Sequence, residues 1–225
     1  FAAKNLPNAL AVMAVSNKGN LLQAPDIYME KIAIGKNLPQ NLLDLDNTVE
    51  KNIKLLSDAK GVNPNMLTAC LLKRKRHDNI IKSLEAMKVN IKFLTDGDVS
   101  GVLFVAEKNK NVDIYLGIGG GPEGVLAAAA LSCLDCQMQT RLVYENKEQM
   151  NKAKKLGISD LEKKYSIDEM VKGDVIFCAS GVTNGDFVNG IKEVGNFFES
   201  ETLALHKSSN FYKVIKKKLN KGLNK

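Results

Sequence analysis

A glycine-rich turn, Gly117-Ile-Gly-Gly-Gly-Pro-Glu-Gly124, is the stretch of this chain best suited to chemistry. It follows a short β-type run, Val112 to Leu116, and precedes an alanine-rich helix-forming stretch that begins at Val125. A strand, a glycine turn and a helix in this order point backbone N–H groups and a helix N-terminus at an anion. The turn therefore predicts a phosphate site, although a glycine turn alone is a weak signal.

Glu123 is unusual in such a turn, because a carboxylate repels a phosphate unless a cation lies between them. Two interpretations stay open on spacing alone. Glu123 either ligates a metal ion, or it caps the helix and complements the helix dipole, an effect of about 0.3–1 kcal/mol. The turn lacks the Gly-Lys-Ser/Thr ending of a Walker loop and is a poor dinucleotide fingerprint.

Charged residues also follow two other predicted strands. The cluster Lys73-Arg-Lys-Arg-His-Asp78 comes after the apolar run Met66 to Leu72 and contains two of the chain's three arginines. In a chain rich in lysine, arginine is favoured where its planar fork matters, as at a phosphate; a solvated basic turn is the alternative. Thr95-Asp-Gly-Asp98 follows Val89 to Leu94, and its two acids suit a helix cap or hydroxyl and metal contacts.

These motifs need a sheet that brings them together. Three β-turn-α units, with strands at 66–72, 89–94 and 112–116, predict an α/β fold with a mixed, mainly parallel sheet and helices on its faces. Ligands bind at the carboxyl ends of strands in such sheets, so the three motifs should meet at one edge. Further elements are predicted for a strand buried on both faces at 9–15, strands at 28–34, 175–179 and 200–207, and helices at 47–60 (capped by Asn47), 79–87 and 147–156.

The composition argues against two classes of partner. With 225 residues, 44% hydrophobic and 25% charged, the chain has ample core for one large domain or two small ones. No apolar run is long enough to span a bilayer, so no membrane is expected. The net charge of +7 comes largely from late lysines, which we expect to form a solvated or frayed tail: Lys213, Lys216, Lys217, Lys218, Lys221 and Lys225. Nucleic-acid binding is not expected, since aromatic residues make up 6% of the chain and none is Trp.

The four cysteines favour a reducing, cytoplasmic setting. Cys70 and Cys178 lie in apolar runs and should be buried. Cys133 and Cys136 form a C-x-x-C pair, but no second pair follows at the spacing that a structural zinc site needs. We therefore expect structural thiols.

The glycine turn resembles the signature of class II fructose-1,6-bisphosphatases. Gly121 stands where that family usually has alanine, and Lys75 stands where it usually has proline. The resemblance extends over nearly the whole chain, in the family's order, through Asn8 to Ala14, Ala24 to Lys31, Arg76 to Asp78, Asp96 to Asp98, Gln137 to Leu142 and Ser180 to Asp186.

This resemblance implies hydrolysis of the 1-phosphate of fructose 1,6-bisphosphate to fructose 6-phosphate, with Mg²⁺ or Mn²⁺ as cofactor. It also implies the layered α+β fold of sugar phosphatases and a homo-oligomer. Residues 1–45 would supply the last strands of an N-terminal phosphatase domain, and residues 46–225 a C-terminal α/β substrate-binding domain. Glu123 would be a metal ligand. The residues that would contact substrate are Tyr28, Arg74, Lys75, Arg76, Asp96, Gly97, Asp98 and Gly120.

In that family, the catalytic threonine and the other metal-binding acids lie in segments that precede the position corresponding to Phe1 of this sequence. We therefore expect no catalytic residue within this chain; on their own, these residues should bind a sugar phosphate weakly and hydrolyse nothing. The alternative function is non-catalytic binding of a sugar phosphate or another polyanion. Sedoheptulose 1,7-bisphosphate is an alternative substrate, since some members of the family also take it.

Overall fold

The structure of the chain is a computed structural model that describes residues 2–4 and 6–223. Its strands are β1 (Leu10–Ser16), β2 (Tyr28–Ile34), β3 (Thr68–Leu72), β4 (Asn90–Leu94), β5 (Ile114–Gly120), β6 (Gln137–Val143), β7 (Lys164–Ser166), β8 (Val175–Gly181), β9 (Lys192–Val194), β10 (Phe197–His206) and β11 (Phe211–Asn220). Its α-helices are α1 (Val49–Lys60), α2 (Asp78–Ala86), α3 (Asp98–Leu103), α4 (Gly121–Ser132), α5 (Lys147–Lys155) and α6 (Ile167–Met170).

A six-stranded mixed sheet carries the predicted motifs. Its order is β4-β3-β5-β2-β6-β7. The β4-β3-β5 pairs are parallel, whereas β2 pairs antiparallel with both β5 and β6, and β6 pairs antiparallel with β7. Four strands, β3, β4, β5 and β6, therefore run in one direction, and β2 and β7 run in the other. The predicted α/β class with a mixed, mainly parallel sheet and helices on its faces is confirmed.

A second, antiparallel sheet has the order β1-β8-β10-β11, with β9 paired to β10. β1 is an edge strand of this sheet, and Met13 and Val15 are 55% and 48% exposed, so the prediction that it is buried on both faces was wrong. An apolar run of this length is also compatible with an edge strand whose second face lies open. The expected division of the chain near residue 45 stays a prediction.

The lysine-rich segment near the end of the chain is not a frayed tail. It forms β11, which pairs with β10 over ten residues. Two cross-strand ion pairs support this ladder, Lys216 with Glu201 at 2.9 Å and Lys218 with Glu199 at 2.8 Å. Alternating opposite charges directly across a strand pair are favourable, and the sequence taken one segment at a time does not show that arrangement. Lys225 lies outside the described residues.

The alanine-rich helix α4 lies between the two sheets, with Ala127, Ala128, Ala129 and Ala130 all fully buried. Apolar residues around its whole circumference suit a helix that is covered on all sides. Its first turn is thereby fixed at the edge where β5 ends.

Smaller differences concern element ends and thiols. Helix α1 is capped by Thr48 rather than Asn47, whose amide group binds Asn52 instead. All four cysteines are free, and burial raises the pKa of Cys70 to about 12; Cys178 is only half-buried. Among the residues that the structure describes, no helix combines the length and the apolar character needed to cross a membrane.

Candidate functional site

The carboxyl ends of β3, β4 and β5 bring the three predicted motifs together. Arg76, from the cluster after β3, donates to the Ile118 carbonyl in the glycine turn. Arg74 lies 3.9 Å from Asp96, which follows β4. Asp98 accepts a hydrogen bond from Tyr115 of β5. The register of the parallel strands therefore places all three motifs at one edge of the sheet, as the sequence predicts.

The glycine turn is partly strand. β5 continues to Gly120 instead of ending at Leu116, because β2 pairs with it from Ile34 to Tyr28. Helix α4 then begins at Gly121, whose N–H donates to the Ile27 carbonyl at 2.7 Å. The turn is therefore anchored to β2 on both sides of Gly120, which keeps the helix N-terminus in a fixed place.

The peptide group of Ile118 is held from both ends. Its N–H donates to Nε2 of His77 at 2.8 Å, and its carbonyl accepts from Nε and Nη2 of Arg76 at 2.9 and 2.8 Å. Nδ1 of His77 lies 2.7 Å from the Leu72 carbonyl. Because Nε2 accepts a hydrogen bond, the proton of the neutral ring is on Nδ1, which donates to Leu72. Burial lowers the pKa of His77 and so favours this neutral form.

Gly117 has a φ of +149°, a conformation that is essentially restricted to glycine, and a Cβ there would lie 3.0 Å from Cε1 of His77. We expect Gly117→Ala to lower the free energy of unfolding by about 2 kcal/mol, from backbone strain and this contact together. Urea denaturation measures the loss. Gly157→Ala is the control, because Gly157 has a φ of +86° with no atom near the new methyl group; it should cost about 1 kcal/mol. Equal losses of unfolding free energy in the two variants would contradict a close contact between Gly117 and the His77 ring.

Arg76 and Tyr28 form one surface of the site. The guanidinium carbon of Arg76 lies 4.7 Å from the centre of the Tyr28 ring, a cation–π contact, and both side chains are exposed. With Nε and Nη2 of Arg76 bound to Ile118, the described residues offer no hydrogen-bond acceptor to Nη1. The guanidinium group is thereby held rigidly and keeps one amino group for an anion.

The remaining basic and acidic residues of the two loops are more open. Lys75 begins a 3₁₀ turn, Lys75–His77, so this turn forms without the proline that the family usually has. Arg74 is partly exposed, Asp96 is exposed, and the two are only loosely paired, which leaves both able to contact a ligand. Gly97, with a φ of +85°, makes the sharp turn that aims Asp96 outward and Asp98 inward.

Asp98 is buried in a charged cluster at the base of the glycine turn, and its predicted contact with substrate stays a prediction. Its carboxylate contacts the ammonium group of Lys31 and the hydroxyl group of Tyr115, and all three side chains lie below the turn. Sequence reasoning missed Lys31 and Tyr115 as parts of the site. The available signal was a lysine inside the otherwise apolar second half of β2, a position that a surface residue would not take.

Glu123 lies in the first turn of α4, is exposed, and is close to Gly120. Both interpretations of it, metal ligand and helix cap, remain compatible with this position. Within the described ranges, no group of three or more His, Cys, Asp or Glu side chains is arranged to hold a metal ion. Mg²⁺ takes about six oxygen ligands, so Glu123 would supply one donor and the residues described here do not by themselves form a complete metal site.

The chain is similar to known proteins over nearly its whole length. The family model described as bacterial fructose-1,6-bisphosphatase, glpX-encoded, matches residues 1–219. The chain is 33% identical over 228 residues to a D-fructose 1,6-bisphosphatase class 2/sedoheptulose 1,7-bisphosphatase of Synechococcus sp. (strain JA-2-3B'a(2-13)), covering 96% of this chain and 65% of that protein. It is 33% identical to a fructose-1,6-bisphosphatase class 2 of Haemophilus influenzae (96% and 68% covered). It is 34% identical to fructose-1,6-bisphosphatase 1 class 2 of Escherichia coli strain K12 (93% and 66% covered). The chain thus spans about two thirds of the length of these relatives.

Proposed function

This chain belongs to the bacterial glpX-encoded fructose-1,6-bisphosphatase family. From that premise we propose that it binds fructose 1,6-bisphosphate as the substrate of a phosphatase. The reaction is hydrolysis of the 1-phosphate of fructose 1,6-bisphosphate to fructose 6-phosphate. The observation that carries this proposal is the Arg76 guanidinium group, held by Ile118 and Tyr28 at the edge where the basic cluster meets the glycine turn. A rigid, partly free guanidinium group is well suited to a phosphate.

The basic cluster holds the phosphate that does not react. Micromolar affinity requires about 8 kcal/mol, whereas a helix N-terminus contributes about 1 kcal/mol or less. Hydrogen bonds to charged groups contribute about 1.5–3 kcal/mol each. Several contacts from Arg74, Lys75 and Arg76 are therefore needed, and all three side chains are at least partly exposed. The Tyr28 ring and the exposed Asp96 carboxylate lie beside them and contact the sugar, together with the backbone at Gly97 and Gly120.

A divalent metal ion, Mg²⁺ or Mn²⁺, supplies polarisation of the phosphoryl group and an activated water when it is bound. Glu123 is the residue of this chain that would hold it, with phosphate oxygens and water among the other donors. Both carboxylate oxygens of Asp98 are bound by Lys31 and Tyr115, so we do not assign Asp98 this role.

Glu123→Gln separates the metal-ligand interpretation from the helix-cap interpretation. We expect the variant to lose about tenfold in the Mn²⁺ enhancement of fructose 1,6-bisphosphate binding, since one charged ligand is removed from the ion. Isothermal titration calorimetry with and without Mn²⁺ measures this enhancement. The matched control is Glu148→Gln, which removes an acid from the first turn of α5, where Glu148 pairs with Lys152 at 2.9 Å. A full Mn²⁺ enhancement in Glu123→Gln would leave only the helix-cap role.

Release of phosphate from fructose 1,6-bisphosphate in the presence of Mn²⁺ tests the proposed activity of this chain directly. Turnover that is lost in Arg76→Ala supports the phosphatase. Binding of the sugar without any release favours the alternative, a non-catalytic sugar-phosphate or polyanion-binding protein. The alternative is based on the incomplete set of metal ligands among the described residues. The phosphatase names of the relatives favour the phosphatase instead.

The proposal extends to the choice of sugar, the cellular location and the oligomeric state. Sedoheptulose 1,7-bisphosphate is the competing substrate, because the Synechococcus relative carries both names. A direct comparison of the two sugars in the binding assay discriminates between them. We place the protein in the cytoplasm, in keeping with its free thiols, and we expect a homo-oligomer that binds neither nucleic acid nor membrane.

A further inference from the structure

Lys31 is a fully buried lysine that lies directly beneath the glycine turn. Lysine is almost never fully buried in a folded protein unless its ammonium group is paired. The side chain leaves the middle of β2, and its ammonium group contacts the carboxylate of Asp98 at the start of α3. A Cβ at Gly119 would lie 2.9 Å from Nζ of Lys31, and one at Gly124 would lie 2.8 Å from its Cε. The lysine is thus packed against the backbone on both sides of Glu123.

The carboxylate of Asp98 connects three elements of the site. Its Oδ2 accepts from Lys31 of β2, and its Oδ1 accepts from the hydroxyl group of Tyr115 on β5. Asp98 itself begins α3, directly after the loop that holds Asp96 and Gly97. The position of this loop relative to the turn is therefore set by buried contacts among Lys31, Asp98 and Tyr115.

Stability alone is a weak reason to keep this pair. Taking two charges out of water costs free energy, and a buried ion pair can often be replaced by apolar residues without loss of stability. The desolvation of Lys31 outweighs the attraction of Asp98 in its effect on the lysine pKa, which is lowered. A carboxylate bound by two donors has a defined orientation. An apolar pair in the same place would not fix the orientation of the loop in this way.

We propose that Lys31 is a positioning residue of the sugar-phosphate site, whose ammonium group fixes Asp98, and with it the loop at 95–98, against the glycine turn. The consequence for ligand binding rests on the function proposed above. Lys31 does not touch the substrate; it acts through Asp98 on the exposed groups of the loop. Its loss should loosen the loop and weaken binding of fructose 1,6-bisphosphate, even where the fold is retained.

A double-mutant cycle on the full chain tests this proposal, with wild type, Lys31→Met, Asp98→Asn and the double variant. Lys60→Met is the control, since Lys60 also pairs with an aspartate, Asp113, but at the amino end of β5. Three quantities are measured: the thermal midpoint, the Kd for fructose 1,6-bisphosphate by calorimetry, and amide hydrogen exchange over residues 95–101.

We expect Lys31→Met to lower the thermal midpoint strongly, because it leaves the Asp98 charge buried without its cationic partner. The double variant should regain most of that midpoint, yet bind the sugar about tenfold more weakly and exchange about tenfold faster over 95–101. Lys60→Met should leave both the Kd and this exchange unchanged. Wild-type affinity and wild-type exchange in the double variant would overturn the proposal and reduce the pair to a stabilising contact.

Two further outcomes are covered by the same measurements. If the wild-type chain does not bind the sugar at all, the proposed function fails, whereas hydrogen exchange over 95–101 still decides whether Lys31 positions the loop. If the double variant does not fold, Tyr115→Phe takes its place, because it removes one donor to Asp98 and retains the ion pair. About threefold faster exchange over 95–101 is then expected, and unchanged exchange would count against the proposal.

Discussion

Replacement of Arg76 by alanine is expected to weaken the binding of fructose 1,6-bisphosphate about a hundredfold. Two effects combine. The variant loses a hydrogen bond to a charged phosphate, which contributes about 1.5–3 kcal/mol. It also releases the Ile118 carbonyl, to which Nε and Nη2 of Arg76 donate, and so loosens the turn that faces the ligand. A loss of about 2.7 kcal/mol corresponds to the hundredfold change, measured as Kd by titration calorimetry.

Two other variants show whether the guanidinium fork matters or only its charge. Arg76→Lys restores a positive charge but cannot donate two parallel hydrogen bonds to one carbonyl, so it should recover less than a third of the lost binding free energy. Arg74→Ala removes a partly exposed arginine that lies 3.9 Å from Asp96, and it should weaken binding only about fivefold. If both arginine-to-alanine variants lose affinity equally, the cluster acts as a diffuse positive charge and the fixed geometry of Arg76 has no special role.

The edge at which the motifs meet could be predicted from the sequence because it depends on local order. Each motif directly follows an apolar run, and consecutive parallel strands place their carboxyl ends together. Arg76, Asp96 and Glu123 therefore lie where the strand-turn-helix pattern puts them. The resemblance to a known family added the ligand, the role of each site residue and the position of Tyr28, which the strand-turn-helix pattern alone does not indicate.

The interior of the site could not be predicted, because it depends on contacts between residues far apart in the chain. Lys31 and Asp98 are 67 positions apart, and His77 and Ile118 are 41 positions apart. The antiparallel insertion of β2 between β5 and β6 is also a long-range choice. It extends β5 through Gly120 and brings Lys31 under the turn. Taken residue by residue, Asp98 resembles a ligand-binding acid as much as Asp96 does; only the pairing of strands shows that one points inward.

Contacts between separate segments also explain why β11 was not predicted as a strand. Its lysines suggest a solvated segment when they are read alone, whereas the acids that pair with them, Glu199 and Glu201, lie in the preceding strand. Composition averages over such alternation. Lysines lie on both faces of β11, and the strand still pairs regularly with β10 over ten residues because acids of β10 lie directly opposite Lys216 and Lys218.

Loss of the His77 side chain is expected to destabilise the fold strongly. His77→Ala should lower the free energy of unfolding by about 4 kcal/mol, because it leaves the Ile118 N–H and the Leu72 carbonyl without their partner. An unsatisfied buried polar group costs about 1–3 kcal/mol, and the vacated space adds to this. Urea denaturation at pH 7.5 measures the loss. His206→Ala is the control, since His206 is partly exposed and hydrogen-bonded at the surface to Asp174 and Ser209.

His77 should also make the fold sensitive to mild acid. Burial lowers its pKa below the ordinary value of 6.5, so the unfolded chain binds a proton more tightly than the folded chain does. The stabilisation is therefore complete above pH 6.5 and is lost as the pH falls from 6.5 through the lowered pKa of the folded state. The slope within that window approaches about 1.4 kcal/mol per pH unit for one proton. Hydrogen bonds from His206 and Ser208 lower the pKa of Asp174 from 3.8 to about 2, so the contribution of that carboxylate is lost as the pH falls from about 3.8 towards 2.

A neutral replacement isolates this slope. His77→Gln keeps a donor and an acceptor at the position but cannot be protonated, so its stability should change little between pH 7 and pH 5, where the wild-type chain loses stability. His206→Gln should retain the wild-type slope, because it leaves His77 in place and these two are the chain's only histidines. Urea midpoints at four pH values between 7.5 and 5 provide the comparison. A slope that survives in His77→Gln and disappears in His206→Gln would assign the acid sensitivity to the surface contact with Asp174, and the neutral ring of His77 would then hold Ile118 without sensing pH.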